Sequence, residues 1–446
     1  MSGFFETIRN AWKIPDLKRK ILYTVILLLI FRVGCNIPLP GISKEAVEAA
    51  YASAGTGVGD MLNMLSGNAA RNITIFAMGI TPYINSSIII QLLTVAIPAL
   101  ERLAKDGGEE GKKKLGQISR YTTIGLALFQ GYFMANSYSQ YFEIQPKWFA
   151  MIVIMSALTA GTAFLMWLGE QITEKGIGNG ISLIIFAGII SNGPGSVIDL
   201  YTTFLKGSDN NIIVGLFYIA IIVLIFLAII ALVIYITEAE RKIPVQYAKR
   251  VVGRKMYGGN STVIPIKINS AGVLPIIFAM SIVAFPSTLM SLFFPSAAAD
   301  PANHPVIHAI ANFGKSGALW FPLLNAVLVI GFTFFYSAVY FNPKEISDNL
   351  KDNGGFIPGV RPGKPTTDFI KSVSNKTTMA GALFLALITV MPTMLQVILR
   401  AIDTNFGQIN LWLGGTSVLI MVGVALETVK QIESYMLARY YRGFLE

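Results

Sequence analysis

The side chains that most often carry out chemistry are scarce in this sequence, and the few present do not form a catalytic set. Residues 314–317 read GKSG, which resembles the serine motif of intramembrane proteases. Such an enzyme takes its base from a later histidine, whereas His304 and His308 both precede the motif. The same letters fail as a phosphate loop, because Ala309 stands where a glycine is required. Two histidines and one cysteine also offer no zinc set, so the sequence predicts no catalytic, metal or cofactor site.

The polar groups that a coupled transporter needs are also poorly placed. A proton or ion relay requires ionisable groups near the bilayer centre, but Arg32 lies near one end of an apolar stretch, and Glu170 and Glu427 lie at or near others. The GIGNG segment at 176–180 resembles a phosphate cradle, yet it joins two apolar stretches, which favours a tight turn. A passive conduit with an apolar constriction and an ion-coupled small-solute transporter both stay open at this point.

The hydrophobic composition indicates an integral membrane protein. The 446 residues are 53% hydrophobic and only 13% charged, whereas an average soluble domain has about 25% charged residues. Apolar stretches of about 20 residues are long enough to cross a bilayer as helices. Ten such spans are predicted, at 21–38, 73–98, 118–141, 148–169, 177–200, 212–237, 271–294, 319–341, 377–399 and 411–429.

The positions of lysine and arginine predict the orientation of these spans. Most of the 35 basic residues fall before the first span, in the connections after the second, fourth, sixth and eighth spans, and in the tail. Because basic segments are retained in the cytoplasm, both termini are predicted to be cytoplasmic. The first span is long and lacks a small-residue cleavage site, so it is expected to remain as a membrane helix.

Ten spans with both termini on one side divide into two inverted halves of five. Inverted repeats place their working site at the interface of the halves. The second span contains TPYI at 81–84 and the seventh contains LPII at 274–277, so the second helix of each half has isoleucine two residues after proline. The predicted organisation has an amphipathic cytoplasmic segment at 1–20, an N-terminal half at 21–200, a C-terminal half at 201–429, and a tail at 430–446. Its cytoplasmic loops lie at 238–270 and 342–376.

One helical face of the second span has an unusual composition. Ile84, Ile88 and Gln91 follow each other at i, i+4 and i+7, which puts them on the same face. The two isoleucines alone fit either a pore lining or ordinary packing. Gln91 argues against exposure to lipid, because an unpaired amide in hydrocarbon is costly. The face is therefore predicted to point into the protein.

Seven motifs along nearly the whole chain resemble, in order and spacing, those of the SecY family of protein-translocation channels. They are GITPYINSSIIIQLL, GIGNGISLIIFAGI, AERKIPVQYAKR, INSAGVLPIIFAMSI, FNPKEISDNLK, GFIPGVRPGKPT and WLGGTSVLIMV. The resemblance implies an all-α integral membrane protein whose two five-helix halves form a clamshell around a central pore. It also implies the central subunit of a translocase, which conducts unfolded secretory polypeptides and releases signal sequences and transmembrane segments sideways into lipid.

The resemblance further implies roles for individual residues. The apolar pore ring comprises Ile84, Ile88, Ile181, Ile185, Ile277 and Ile420. An external plug over about 58–68 includes Asp60, Met61, Leu62, Asn63, Met64 and Leu65. The polar residues of the lateral gate are Thr81, Gln91 and Asn269. The docking residues of the cytoplasmic loops are Arg241, Lys249, Arg250, Arg254, Arg361 and Lys364.

The expected partners also follow from the resemblance. They are the small membrane subunits SecE and SecG, the SecA motor, the ribosome, the translocating polypeptide and the lipid bilayer. The chain itself is expected to be a passive channel without a cofactor, supplied with energy by the SecA ATPase or by the translating ribosome. Its expected location is the bacterial plasma membrane.

Overall fold

The computed structural model describes residues 4–43, 66–105, 107–202, 204, 212–247, 250–252, 255–257, 261–270, 272–294, 304–306, 310, 320–402 and 415–442. Helices dominate these residues. They are α1 (Phe4–Lys13), α2 (Pro15–Gly34), α3 (Thr81–Ala96), α4 (Pro98–Lys105), α5 (Gly108–Ser137), α6 (Lys147–Lys175), α7 (Gly180–Ile190), α8 (Gly193–Tyr201), α9 (Ile212–Glu238), α10 (Leu274–Phe293), α11 (Trp320–Tyr340), α12 (Pro343–Asp352), α13 (Lys364–Ile402) and α14 (Gly415–Arg442).

The chain forms two compact units. Unit 1 comprises Met1–Asp199, Ser281–Ala318 and Val424–Glu446, and unit 2 comprises Leu200–Met280 and Leu319–Gly423. Helices α10 and α14 each begin in unit 2 and end in unit 1. The division into two halves between residues 200 and 201 stays a prediction.

Every predicted span overlaps a helix, and the largest difference is in the second. Helix α3 begins at Thr81, with proline in its first turn, and not at residue 73. Residues 67–80 form turns and one bridge instead, and Asn68, Ile73 and Gly79 have positive φ angles that are incompatible with a right-handed helix. Hydrophobicity extended the predicted span across this segment, because a buried turn and a buried helix are equally apolar.

Five helices in the described part of the chain are long and apolar enough to cross a membrane. The number rises to six if α3 and α4, which meet at an angle of 105°, count as one span. The bend lies between Ala96 and Pro98, where the missing N–H of proline ends the first helix. The predicted end of the second span at Pro98 coincides with this bend.

The aromatic side chain of Phe76 packs the turn segment before α3 against helices α2 and α6 of unit 1. The ring of Phe76 lies between those of Phe31 and Phe164, with centroids 6.3 and 6.0 Å away. A Cβ atom at Gly34 would overlap the Phe76 ring, and one at Gly161 would overlap the carbonyl oxygen of Ile75. Glycine at these two positions therefore lets the segment pack directly against α2 and α6.

Unit 2 contains a small sheet that the all-α prediction did not include. The strands are β1 (Glu240–Tyr247), β2 (Arg250–Val252), β3 (Lys255–Tyr257), β4 (Ser261–Lys267) and β5 (Gly355–Phe356). Strands β4, β1 and β5 form one antiparallel sheet, and β2 pairs with β3. Alternate β1 residues Ile243 and Val245 are buried with Ile266, Leu350 and Ile370, so the two predicted cytoplasmic loops share one hydrophobic core.

Candidate pore, gate and docking residues

Helix α3 buries two opposite faces. On one face, Ser86 donates a hydrogen bond to the carbonyl oxygen of Ser119 on α5, over 2.8 Å. The other face contains Ile84 and Ile88, which are 8% and 5% exposed, whereas the adjacent Ile89 is 39% exposed. Since residues four apart share a helical face, Ile84 and Ile88 form a separate buried stripe. Their burial agrees with the prediction that this face points into the protein.

The GIGNG segment fixes the start of α7, which contains two more predicted ring residues. The Asn179 side chain caps the helix, accepting hydrogen bonds from the N–H groups of Ile181 at 3.1 Å and Ser182 at 3.3 Å. Such a cap defines where the helix begins, and with it the faces of Ile181 and Ile185. Ile185 is buried, and Ile181 is partly buried.

Three N–H groups of this turn donate to side chains from three helices. Ile177 donates to Oγ1 of Thr24 (3.0 Å), Gly178 to Oε1 of Gln431 (2.6 Å), and Gly180 to Oγ1 of Thr173 (2.9 Å). A phosphate-binding loop needs free N–H groups directed at its ligand. The segment is accordingly a tight turn that joins α6 to α7.

The two other predicted ring residues lie in unit 2. Ile277 is the fourth residue of α10, and it is partly buried. Ile84 is likewise the fourth residue of α3. Proline in the first turn of both helices replaces an N–H that has no helical partner there. Ile420 lies on α14 and is 3% exposed.

The three predicted gate residues differ in burial. Thr81 and Gln91, at the start and in the second half of α3, are partly buried in unit 1. Asn269 lies in unit 2 between β4 and α10, is 6% exposed, and has an Oδ1 atom without a hydrogen-bond partner in the described part of the chain. A buried amide oxygen without a hydrogen-bond partner destabilises the folded state by its desolvation free energy. It leaves Asn269 able to accept a further hydrogen bond.

The predicted plug residues lie outside the described residues, but the chain that follows them is well held. The Arg32 guanidinium donates a hydrogen bond to the carbonyl oxygen of Gly67 at 2.8 Å. The thiol of Cys35 donates to the carbonyl oxygen of Ser66 at 3.6 Å. Gly67 has a φ of +66°, and a Cβ there would lie 3.0 Å from the Cα of Gly188. Gly67 thus permits close packing at a fixed junction.

Two of the charged residues that the sequence places near the ends of apolar stretches, Arg32 and Glu170, have structural partners. Arg32 binds Gly67 as described, which sequence analysis could not anticipate because the two residues are far apart along the chain. Glu170 accepts a hydrogen bond from Nε of Arg120 at 2.7 Å, which joins α6 to α5. These contacts give neither side chain a place in an ion relay.

The predicted docking residues that are described lie on the small sheet of unit 2 and beside it. Arg241 on β1 is exposed, as are Arg361 and Lys364 after β5. Arg250 begins β2, whereas Lys249 and Arg254 lie outside the described residues. The turn between β5 and α13 is braced, since Thr366 donates to the carbonyl oxygen of Arg361 at 2.8 Å and Ser347 to that of Gly363 at 3.1 Å.

Comparisons with known proteins identify the family. The SecY family profile matches residues 74–429. The protein translocase subunit SecY of Halalkalibacterium halodurans is 42% identical, over 99% of this chain and 100% of the relative. That of Bacillus subtilis is 43% identical, over 99% and 100%. The chain belongs to the SecY family.

Solved structures give the same fold for this SecY-family chain. A chain from the idle yeast Ssh1 complex bound to the yeast 80S ribosome matches with a TM-score of 0.60 and 16% identity, over 92% of this chain and 89% of that chain. The predicted fold class, a membrane protein of the SecY type with ten transmembrane helices, is confirmed, and the small sheet of unit 2 is an addition to the all-α prediction. The SecY family also identifies the chain as a protein-conducting channel and not an enzyme.

Proposed function

We propose that this chain is the central subunit of a protein translocase, which conducts unfolded secretory polypeptides across the membrane and releases signal sequences and transmembrane segments sideways into lipid. The observation that carries the proposal is the similarity to curated SecY subunits over the whole chain, at 42–43% identity. The comparisons give no support to the alternative, an ion-coupled small-solute transporter.

The six ring isoleucines would act as a gasket around the passing polypeptide. Isoleucine has no polar side-chain atoms, so a ring of these residues neither hydrogen-bonds to the polypeptide nor holds water when it is closed. The burial of Ile84, Ile88, Ile185 and Ile420 supports this role. The plug over about 58–68 would close the external side, and its Met and Leu side chains suit packing beneath an apolar ring.

Lateral release requires a closed gate that opens readily. Thr81, Gln91 and Asn269 would form a polar latch, in which each hydrogen bond contributes about 0.6–2 kcal/mol. The buried Oδ1 of Asn269 has no hydrogen-bond partner among the described residues, which supports its part in the latch, because a donor there would relieve a desolvation cost. A signal sequence would compete with the latch through its own apolar contacts.

The basic cytoplasmic loops would bind the partner that supplies the energy for transport. The exposed Arg241, Arg361 and Lys364 support electrostatic contact with ribosomal RNA or with an acidic surface of the SecA motor. Translation or ATP hydrolysis by that partner would drive transport, and SecE and SecG would complete the membrane complex. We place the chain in the bacterial plasma membrane with both termini in the cytoplasm.

Crosslinking from one helix tests the proposal. A photocrosslinking amino acid is placed at Ile88 or, as a matched control, at the adjacent and exposed Ile89, and a secretory polypeptide is arrested during transport. We expect the polypeptide to crosslink to position 88 and far less to position 89. Equal or absent labelling, together with gradient-driven uptake of a small solute by vesicles that contain this chain, would overturn the proposal.

A further inference from the structure

The GIGNG turn is a junction between the cytoplasmic end of α14 and the start of α7. Gln431 on α14 accepts the N–H of Gly178 at 2.6 Å. One residue later, Asn179 caps α7. Two neighbouring residues of a single turn therefore hold two helices, and both helices contain predicted ring residues.

Close packing surrounds this hydrogen bond. Gly178 has a φ of +84°, and a Cβ at this position would lie 3.2 Å from Oγ1 of Thr428, one helical turn before Gln431. Ile432 is buried in a cluster with Ile177, and the ammonium group of Lys20 lies 4.3 Å from the ring centroid of Tyr435. The end of α14 is thus in contact with α2 and with the turn.

Apolar contacts hold the end of α14 by close packing, but they select one rotation less sharply than a directional bond does. Hydrophobic burial, including that of Ile432, is itself non-directional. A hydrogen bond requires a narrow range of distance and angle. The bond from Gly178 to Gln431 therefore supplies the directional contact that sets the position of α14 relative to the turn.

We propose that Gln431 is a positioning residue of the closed pore. By accepting the Gly178 N–H, it would hold α14 at a defined height and rotation, and a rigid helix would transmit that position to Ile420. Gln431 lies eleven positions after Ile420, which corresponds to about 16 Å along the helix axis. This inference rests on the proposed function, because it takes Ile420, Ile181 and Ile185 to be parts of the pore ring.

Three substitutions of Gln431 separate the lost bond from other effects. Gln431→Leu removes the acceptor at similar size, Gln431→Ser stays polar but is too short to reach Gly178, and Gln431→Glu keeps an acceptor oxygen at the same distance. As a matched control, Thr24→Val removes a different acceptor from the same turn, on a helix that contains no predicted ring residue.

The readouts are the ionic conductance of the resting channel in planar bilayers and the hydrogen exchange of the Gly178 amide. We expect Gln431→Leu and Gln431→Ser to raise resting conductance several-fold and to speed amide exchange. Gln431→Glu and Thr24→Val should keep conductance within about twofold of the parent. Transport of normal precursors should persist in all four variants, which shows that the channel has assembled.

Two outcomes would overturn the inference. One is unchanged conductance in Gln431→Leu and Gln431→Ser although the Gly178 amide exchanges faster. The other is an equal rise in Thr24→Val, which would mean that any weakening of the turn is sufficient. In either case crosslinking from Ile88 would still identify the translocation path, so failure of this inference is distinguishable from failure of the proposed function.

Discussion

At the scale of single residues, burial separates isoleucines that have the same chemistry. Helix α3 has three consecutive isoleucines, Ile88 to Ile90, of which only the middle one is exposed. Ile90 shares the face of Ser86, which is bonded to α5, whereas Ile88 shares the face of Ile84. The stripe of Ile84 and Ile88 is buried on the face opposite Ser86, so substitutions at Ile84 test the predicted pore ring most directly.

We predict that Ile84→Asn or Ile277→Asn loosens the closed channel. An amide in an apolar constriction hydrogen-bonds water and so lowers the cost of wetting it. Export of precursors with defective signal sequences should therefore rise several-fold, measured as the ratio of mature protein to precursor after a pulse label. Ile84→Val is the control, because it changes size by one methyl group without adding polarity. Unchanged export in both asparagine variants would remove these residues from the ring.

The sequence predicts the faces of individual helices better than it predicts the contacts that hold those helices in place. The shared face of Ile84 and Ile88 follows directly from their spacing, and the resemblance to the SecY family assigns it to the predicted ring. The partner of Arg32 is a backbone carbonyl of Gly67, and the partner of Gln431 is the N–H of Gly178. Contacts between a side chain and a distant backbone atom leave no periodic pattern, so only the structure reveals them.

At the scale of elements, hydrophobic length predicts the ten spans but not their conformation. Residues 73–80 are as apolar as a membrane helix and nevertheless form turns that pack on α2 and α6. Strand β1 was missed for a different reason, since its alternating buried residues Ile243 and Val245 cover only a short stretch between charged residues. Contacts with neighbouring elements, and not local composition, decide the structure of both segments.

We predict that Gly161→Ala destabilises the protein, whereas Gly125→Ala does not. A Cβ at Gly161 would overlap the carbonyl oxygen of Ile75, whereas one at Gly125 would have no atom of the described residues within 4 Å outside its own stretch of helix. Overpacking of this kind costs about 1–3 kcal/mol, while alanine in an open helical position gains up to about 1 kcal/mol over glycine. Thermal unfolding of the two purified variants in the same lipid–detergent mixture measures the difference. Equal melting temperatures would show that α6 and the turn segment can separate without cost.

At the scale of the whole molecule, the net charge of +10 is concentrated in the predicted cytoplasmic segments. Positive-inside bias explains the sign of this charge. It does not explain why basic residues lie on a folded platform, formed by the sheet of β4, β1 and β5 together with α12. Strand β5 joins the second basic loop to β1 of the first through the pairs Gln246–Phe356 and Tyr247–Gly355. The exposed Arg241 and Arg361 therefore lie on and beside a single sheet with its own buried core, an arrangement that would suit the proposed docking of a large partner.

We predict that Arg254→Glu and Arg361→Glu each weaken binding of ribosomes or SecA about tenfold, which corresponds to roughly 1.4 kcal/mol. Reversal of a contact charge removes an attraction and adds a repulsion, and the effect should shrink as salt screens both. Lys344→Glu makes the same change in net charge on exposed α12 of the same platform. Co-sedimentation at several salt concentrations, with circular dichroism to verify folding, measures the difference. If Lys344→Glu weakens binding as much as Arg361→Glu, total charge and not the two arginines accounts for docking.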